Sequence, residues 1–183
     1  FLSRPRRFGK SLLLSTLEAY AQGKKELFKG LALEKLEKDW TVYPVLHLDL
    51  NTQKYDTPES LTNVLEENVQ NWEALYGASS SEIGVARRFQ GIIRRACEQT
   101  GRRVVILIDE YDKPMLQAIG NEALQNEYRS TLKAFYGALK SMDRVHPLCP
   151  AHGSDQVRQG QCVQRSEQPD GHLHGRPLRG NLR

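Results

Sequence analysis

Apolar residues recur along the chain with two different spacings. Helical spacing predicts helices over residues 11–22, 24–39, 57–76, 82–100 and 121–140. Two shorter apolar segments, residues 42–50 and 104–108, are typical of strands. The second, VVILI, is a continuous β-branched run, as in a fully buried strand of a parallel sheet. Strands that alternate with helices predict an α/β fold.

Composition narrows the class of protein. The chain has 183 residues, of which 39% are hydrophobic and 26% charged, as expected of a globular protein with one core. No apolar run reaches membrane-spanning length and no signal peptide opens the chain, so we expect no membrane partner. Three cysteines exclude a disulfide framework and favour a cytoplasmic location. A net charge of +4 is too small to indicate a nucleic-acid partner.

The composition changes near residue 144. All 14 aromatic residues and every lysine precede residue 145, whereas the last 39 residues hold 4 of the 5 histidines and 2 of the 3 cysteines. A segment so poor in large apolar residues cannot bury enough surface to offset its ordering entropy. The sequence therefore predicts a folded domain over residues 1–144 and a disordered or non-native tail over residues 145–183.

The first chemical motif is Gly9-Lys10-Ser11, in a polar turn that leads into a predicted helix. A phosphate-binding loop needs inward N–H groups, a lysine for the phosphates and a hydroxyl for Mg²⁺. The usual spacing would place a first glycine at position 4, which is Arg4, and Pro5 removes one N–H donor. Taken alone, the motif is equally typical of a surface turn.

The second motif is an acidic pair, Asp109-Glu110, directly after the VVILI strand. Ligands of open α/β sheets bind at the carboxyl ends of the strands. Asp109 there would hold Mg²⁺ directly or through water, and Glu110 would orient or deprotonate an attacking water. An isolated acidic strand end is commonly only solvated, but the two motifs occur in the order and at about the separation of a P-loop nucleotide hydrolase.

Four segments carry a more specific resemblance. They are FLSRPRRFGKSLLLSTL, PVLHLDL, VVILIDEYDKP and FYGALKSMDR. Together they resemble the AAA-ATPase-like family of bacterial P-loop proteins, in which RPRRFGKS replaces the glycine-rich Walker A motif. The resemblance covers residues 1–144.

The resemblance implies a three-layer α/β P-loop NTPase with a parallel sheet that is incomplete at both ends. It implies ATP and Mg²⁺ as cofactors and ATP hydrolysis that drives or regulates an effector domain, often nuclease-like, absent from this chain. Lys10 and Glu110 would be catalytic, and Ser11 and Asp109 would hold the metal. The nucleotide would be bound by Pro5, Arg6, Arg7, Phe8, Gly9, Lys10 and Ser11.

Two other functions stay open. A switch could bind nucleotide without turnover, because Arg4 and Pro5 occupy the loop. A nucleic-acid-binding module could use the arginine pairs 87–88, 94–95 and 102–103, although a solvated helix face is the favoured interpretation. In an ATPase, nucleic acid would be contacted only through the absent domain, and self-association stays open.

For three further residues, a structural role is weighed before a role in the site. His47 alternates with leucines, a pattern that favours a core or edge histidine with satisfied hydrogen bonds over a ligand. Asp49 ends the first strand and would share the sheet edge of Asp109 if the strands are parallel. Asp112 could cap the next helix or support the site.

Both ends of the chain look interrupted. Phe1-Leu2-Ser3 resembles the end of a strand, so we expect residue 1 to be the cut edge of a longer protein. Permitted codons for the tail, read one base out of frame, yield a string that resembles the family's next strand and loop. We therefore hypothesise a frameshift near residue 145, which the gene's DNA would reveal. A sheet so shortened predicts an unstable chain with weak or no ATP hydrolysis.

Overall fold

A computed structural model describes residues 9–145, with side chains described through residue 142. The predicted strand end at residue 1, the tail from residue 146 and its frameshift lie outside these residues. Six α-helices, one 3-10 helix and two strands make up the described chain. In chain order they are α1 (Lys10–Ala21), a 3-10 helix (Lys25–Phe28), α2 (Ala32–Leu36), β1 (Val45–Asp49), α3 (Pro58–Tyr76), α4 (Val85–Thr100), β2 (Val105–Asp109), α5 (Lys113–Gln117) and α6 (Glu122–Val145).

The two strands pair in parallel, as the sequence predicts. Val45 lies opposite Val105, and Asp49 lies opposite Asp109 at the carboxyl ends. The continuous apolar run of β2 predicts full burial, but within β2 only Leu107 is buried and its neighbours are half-buried. The reason is that, in the described part of the chain, β2 has a strand on one side only.

Helices contact both faces of this strand pair. Leu46 and Leu48 of β1 point into the main core. The alternate positions face α1, because His47 Nδ1 lies 2.9 Å from Glu18 Oε2 of that helix. Mixed helices and parallel strands thus confirm the α/β class.

The main core is formed by α3, α4 and α6 on the Leu46 face. Phe89 of α4 lies at its centre, with ring centroids 5.5 Å from Trp72 of α3 and 4.4 Å from Phe135 of α6. Helix α3 begins where the sequence predicts, with Thr57 as its N-cap, Pro58 in its first turn and a reciprocal capping box between Thr57 and Ser60. The strongly periodic apolar residues of these helices therefore form the core that their spacing predicts.

Three details of the predicted helices are wrong. The helix predicted over residues 24–39 is divided at Gly30 into the 3-10 helix and α2. Its helical spacing predicts that Leu27, Leu31 and Leu36 point inward, but all three are exposed. Residues 82–84 lie outside α4, so Ile83 is 80% exposed. Helix α5 is not predicted, because five residues are too few to show a period.

Gly23 ends α1 in a conformation that only glycine adopts without strain. Its φ is 68°, its N–H donates to the Tyr20 carbonyl, and the Lys24 N–H donates to the Ala19 carbonyl, which is the Schellman pattern. A Cβ at this position would lie 2.8 Å from Val42 Cγ2 and 3.0 Å from the Trp40 carbonyl oxygen. The turn therefore leaves room for no side chain.

Gly23→Ala is expected to lower the free energy of unfolding by about 2–3 kcal/mol, from the left-handed φ together with the crowding. Urea denaturation measures this change. Gly30→Ala is the matched control, because Gly30 has a φ of 81° but nothing within 4 Å of a built Cβ. The control should cost only about 1 kcal/mol. Equal losses in the two variants would show that the crowding at Gly23 has no effect.

Candidate functional site

The amino end of α1 lies at the carboxyl edge of the strand pair. Gly9 precedes the helix with φ 71° and ψ 30°, a left-handed conformation that turns the chain into the first helical residue, Lys10. Free N–H groups of a helix start, together with its dipole, attract anions. The structure thus places Gly9, Lys10 and Ser11 at a helix start beside the carboxyl end of β2.

Ser11 and Asp109 join the two sequence motifs directly. Ser11 Oγ donates a hydrogen bond of 3.1 Å to Asp109 Oδ2, although the residues are 98 positions apart. The other carboxylate oxygen, Oδ1, accepts a 2.9 Å hydrogen bond from the Glu110 N–H. A hydroxyl and a carboxylate so close together are hard oxygen donors of the kind that Mg²⁺ prefers.

Lys10 and Glu110 form a second contact between the motifs. Their Nζ and Oε1 atoms lie 3.7 Å apart, and each side chain is about one-third exposed (34% and 35%). Such a partly exposed pair is worth at most about 1 kcal/mol, so an anion could replace the carboxylate at little cost. The arrangement keeps a cation and a carboxylate together beside the Ser11–Asp109 pair.

Glu110 also has an unusual backbone, with a φ of 50°. The left-handed region costs a non-glycine residue about 1–2 kcal/mol, and strain of this kind is concentrated at functional sites. The turn is therefore less stable than a relaxed turn at Glu110, the residue that the sequence predicts to orient the attacking water.

Asp49 shares this edge, as predicted for parallel strands. It is paired in register with Asp109, and its Oδ1 accepts a 2.7 Å hydrogen bond from the Asn51 N–H. Burial and, to a smaller extent, the charge of Asp49 raise the pKa of Tyr55 to about 12. The Asp49 carboxylate thus orders the loop after β1, next to the two motifs.

Sequence reasoning missed the partner of Lys113. Its Nζ donates to both the carbonyl oxygen and Oδ1 of Asn51, at 3.0 and 2.8 Å. The sequence marks Lys113 only as part of the DEYDKP segment, and no spacing rule links it to a loop 62 positions earlier. Asp112 is the N-cap residue of α5 but its side chain makes no capping hydrogen bond.

His47 lies deeper on the same strand face. Its Nδ1 is paired with Glu18, whereas its Nε2 is buried with no hydrogen-bond partner among the described residues. The histidine is thus satisfied at one of its two ring nitrogens, and its predicted structural role stays a prediction. Within residues 9–142, no cluster of three or more His, Cys, Asp or Glu side chains is arranged to hold a metal ion.

The paired arginines of α4 have distinct environments. Arg88 binds Glu66 and Glu73 of α3, and Arg95 binds Glu82. These two guanidinium groups are mostly buried and are used within the chain. Nucleic-acid contact through the arginine pairs stays a prediction. Fewer arginines are available for it than the sequence suggests, because Arg88 and Arg95 form ion pairs within the chain.

Four predicted nucleotide-binding residues, Pro5, Arg6, Arg7 and Phe8, lie outside the described residues. Of the predicted site, the structure brings together Gly9, Lys10, Ser11, Asp109 and Glu110. None of the described helices is long and apolar enough to cross a membrane.

The five residues lie at the carboxyl ends of parallel strands, where ligands of open α/β sheets bind. A model of the AAA-ATPase-like family, described as a predicted AAA-ATPase, matches residues 1–156. The chain belongs to this family. Nucleotide-binding ATPase function is what the family suggests.

A curated relative extends the comparison. The uncharacterized protein in the vnfD 5′ region of Azotobacter chroococcum mcd 1 is 36% identical to this chain over 144 residues. That alignment covers 78% of this chain but 28% of the relative, so the chain spans less than a third of that protein. No solved structure matches the chain significantly.

Proposed function

We propose that the protein binds ATP with Mg²⁺ at the Ser11–Asp109 edge and hydrolyses it to ADP and phosphate by attack of water on the γ-phosphate. The observation that carries this proposal is the 3.1 Å hydrogen bond between Ser11 Oγ and Asp109 Oδ2. It brings the end of a phosphate-loop motif to an acidic strand end across 98 positions. In this proposal the complete fold is a three-layer P-loop NTPase, and β1 and β2 would be two strands of its parallel sheet.

Each residue has one task in the proposed reaction. Lys10 and the first N–H groups of α1 bind the phosphates, and residues 5–8 would contribute to nucleotide binding. Ser11 and Asp109 would hold Mg²⁺, which when bound would neutralise the charge of the phosphates. Glu110 orients the attacking water and accepts its proton. Hydrolysis would drive or regulate an effector domain outside this chain.

The Lys10–Glu110 contact favours a second candidate, a nucleotide switch without turnover. Lys10 must exchange the Glu110 carboxylate for phosphate when ATP enters, so binding alone changes the partner of Glu110. A protein that stops at this step would signal ATP without consuming it. Single-turnover hydrolysis of ATP by the wild type and by Glu110→Gln separates the two candidates.

Lys10→Met tests the shared first step, ATP binding. Removing the ammonium group deletes a charge-assisted contact worth about 1.5–3 kcal/mol, so the Kd for a fluorescent ATP analogue with Mg²⁺ should rise roughly 10- to 100-fold. The exposed Lys29→Met is the matched control and should leave the Kd unchanged. Equal affinity of the Lys10 variant and the wild type would refute the site.

A further inference from the structure

The strained backbone of Glu110 needs other groups to hold it. Two hydrogen bonds lie within the turn itself: the Glu110 N–H donates to Asp109 Oδ1, and the Lys113 N–H donates to the Glu110 carbonyl at 3.0 Å. Both form within five consecutive residues, so a relaxed turn could replace them with other local bonds. A non-glycine residue keeps φ 50° only where the surroundings fix it from more than one side.

The Lys113 side chain links the turn to a segment outside it. Its ammonium group donates two hydrogen bonds to Asn51 and lies 6.0 Å from the centroid of the buried Tyr55 ring. Asn51 is itself held, because its N–H donates to Asp49 Oδ1 at the end of β1. The lysine thus ties the turn after β2 to the loop after β1.

A second bond lies one helical turn further along α5. The Tyr55 N–H donates to Gln117 Oε1 at 2.7 Å, and the Tyr55 hydroxyl donates to the Leu50 carbonyl at 2.8 Å. Lys113 and Gln117 are four residues apart, so both face the same loop. Of the two, Lys113 is the closer to Glu110 in sequence, three residues beyond it.

We propose that Lys113 is a positioning residue that fixes the Asp109–Lys113 turn against Asn51, and so keeps the Glu110 carboxylate aimed at Lys10. The lysine acts through Glu110, since its own ammonium group is engaged by Asn51. Its effect on catalysis rests on the hydrolytic function proposed above. A carboxylate that orients water loses much of its effect when it is misplaced by about 1 Å.

The kinetic test compares Lys113→Met with the wild type under single-turnover conditions at saturating ATP. Methionine keeps the apolar stem and removes the two bonds to Asn51. The hydrolysis rate should fall about tenfold while the Kd for ATP stays within about twofold, because Glu110 is misplaced and the phosphate-binding residues are not. Lys113→Arg keeps the charge and can donate to two oxygens at once, so it should restore most of the rate. The exposed Lys133→Met should match the wild type.

Amide hydrogen exchange tests the positioning without any turnover. In Lys113→Met, the Glu110 and Lys113 amides should exchange at least about tenfold faster, while the paired amides of β1 stay as protected as in the wild type. Unchanged exchange, or faster exchange with an unchanged rate in an active protein, would overturn the inference. If the wild type neither binds nor hydrolyses ATP, the proposed function fails and the exchange result alone decides the role of Lys113.

Discussion

Glu110→Gln is expected to slow single-turnover hydrolysis of ATP by roughly 10²- to 10³-fold, the loss typical of removing a general base. Glutamine keeps the size of the side chain and one oxygen, but it cannot accept the proton of the attacking water. The Ser11–Asp109 hydrogen bond and the start of α1 stay in place, so nucleotide binding should survive. A rapid-quench assay with protein in excess over ATP measures even slow turnover.

The same substitution should not weaken ATP binding. Glu110 competes for the Lys10 ammonium group in the free protein, at a distance of 3.7 Å. Neutralising the carboxylate removes this competition, and a half-exposed pair is worth at most about 1 kcal/mol, so the affinity should stay equal or become up to about fivefold tighter. Unchanged or tighter binding with slow hydrolysis is the expected pattern of a catalytic base.

Glu122→Gln is the matched control for Glu110→Gln. Glu122 is an exposed residue in the first turn of α6, and its substitution should change neither the rate nor the affinity. A Glu110→Gln protein that hydrolyses ATP at the wild-type rate would remove Glu110 as the base. A wild type that binds ATP but shows no turnover would leave the nucleotide switch as the function.

The sequence predicts the site residues because strand and helix ends have fixed places in an α/β fold. Asp109 and Glu110 follow a β-branched run, and Lys10 follows Gly9 at a helix start, so topology alone brings them to one edge. The two motifs therefore predict that Ser11 and Asp109 lie in direct contact. The contact of Lys113 with Asn51 is different, because it depends on the length and course of two loops.

The helices show the same distinction. In α3, the spacing of Leu61, Val64, Leu65 and Val69 predicts the buried face, because the same spacing recurs over several helical turns. Between residues 24 and 39, leucines at similar spacing predict a helix that Gly30, with its φ of 81°, interrupts. Apolar spacing records which side chains can be buried, whereas the glycine decides whether the helix continues.

Stability of the core should depend strongly on Arg88. Its Nε and Nη2 atoms bind the two carboxylate oxygens of Glu73 at 2.9 and 2.6 Å, and its Nη1 atom also binds Glu66. Glu66 and Glu73 lie two turns apart on α3, so a single α4 side chain joins two positions of the neighbouring helix. The Arg88 side chain is 18% exposed and that of Glu73 is 13% exposed, so solvent screens this pair weakly.

Arg88→Met is expected to lower the free energy of unfolding at pH 7 by about 2–4 kcal/mol, because it leaves two carboxylates without their partner. Methionine keeps much of the apolar contact of the stem, so the loss reports the charge more than the packing. Arg94→Met is the matched control. Arg94 is 53% exposed and has a single 3.2 Å contact with Glu82, so its removal should cost less than about 1 kcal/mol.

The loss caused by Arg88→Met should shrink at acid pH, and the direction follows from Glu73. The Arg88 hydrogen bond holds the pKa of Glu73 below its ordinary value of 4.5, although burial opposes the shift. Stability from this lowered pKa is fully present above about pH 4.5 and is lost as the pH falls through the folded-state pKa. Urea denaturation at pH 7 and pH 3 measures the two differences. A loss that is equal at both pH values would show that Arg88 stabilises the helices through packing, with its charge contributing nothing.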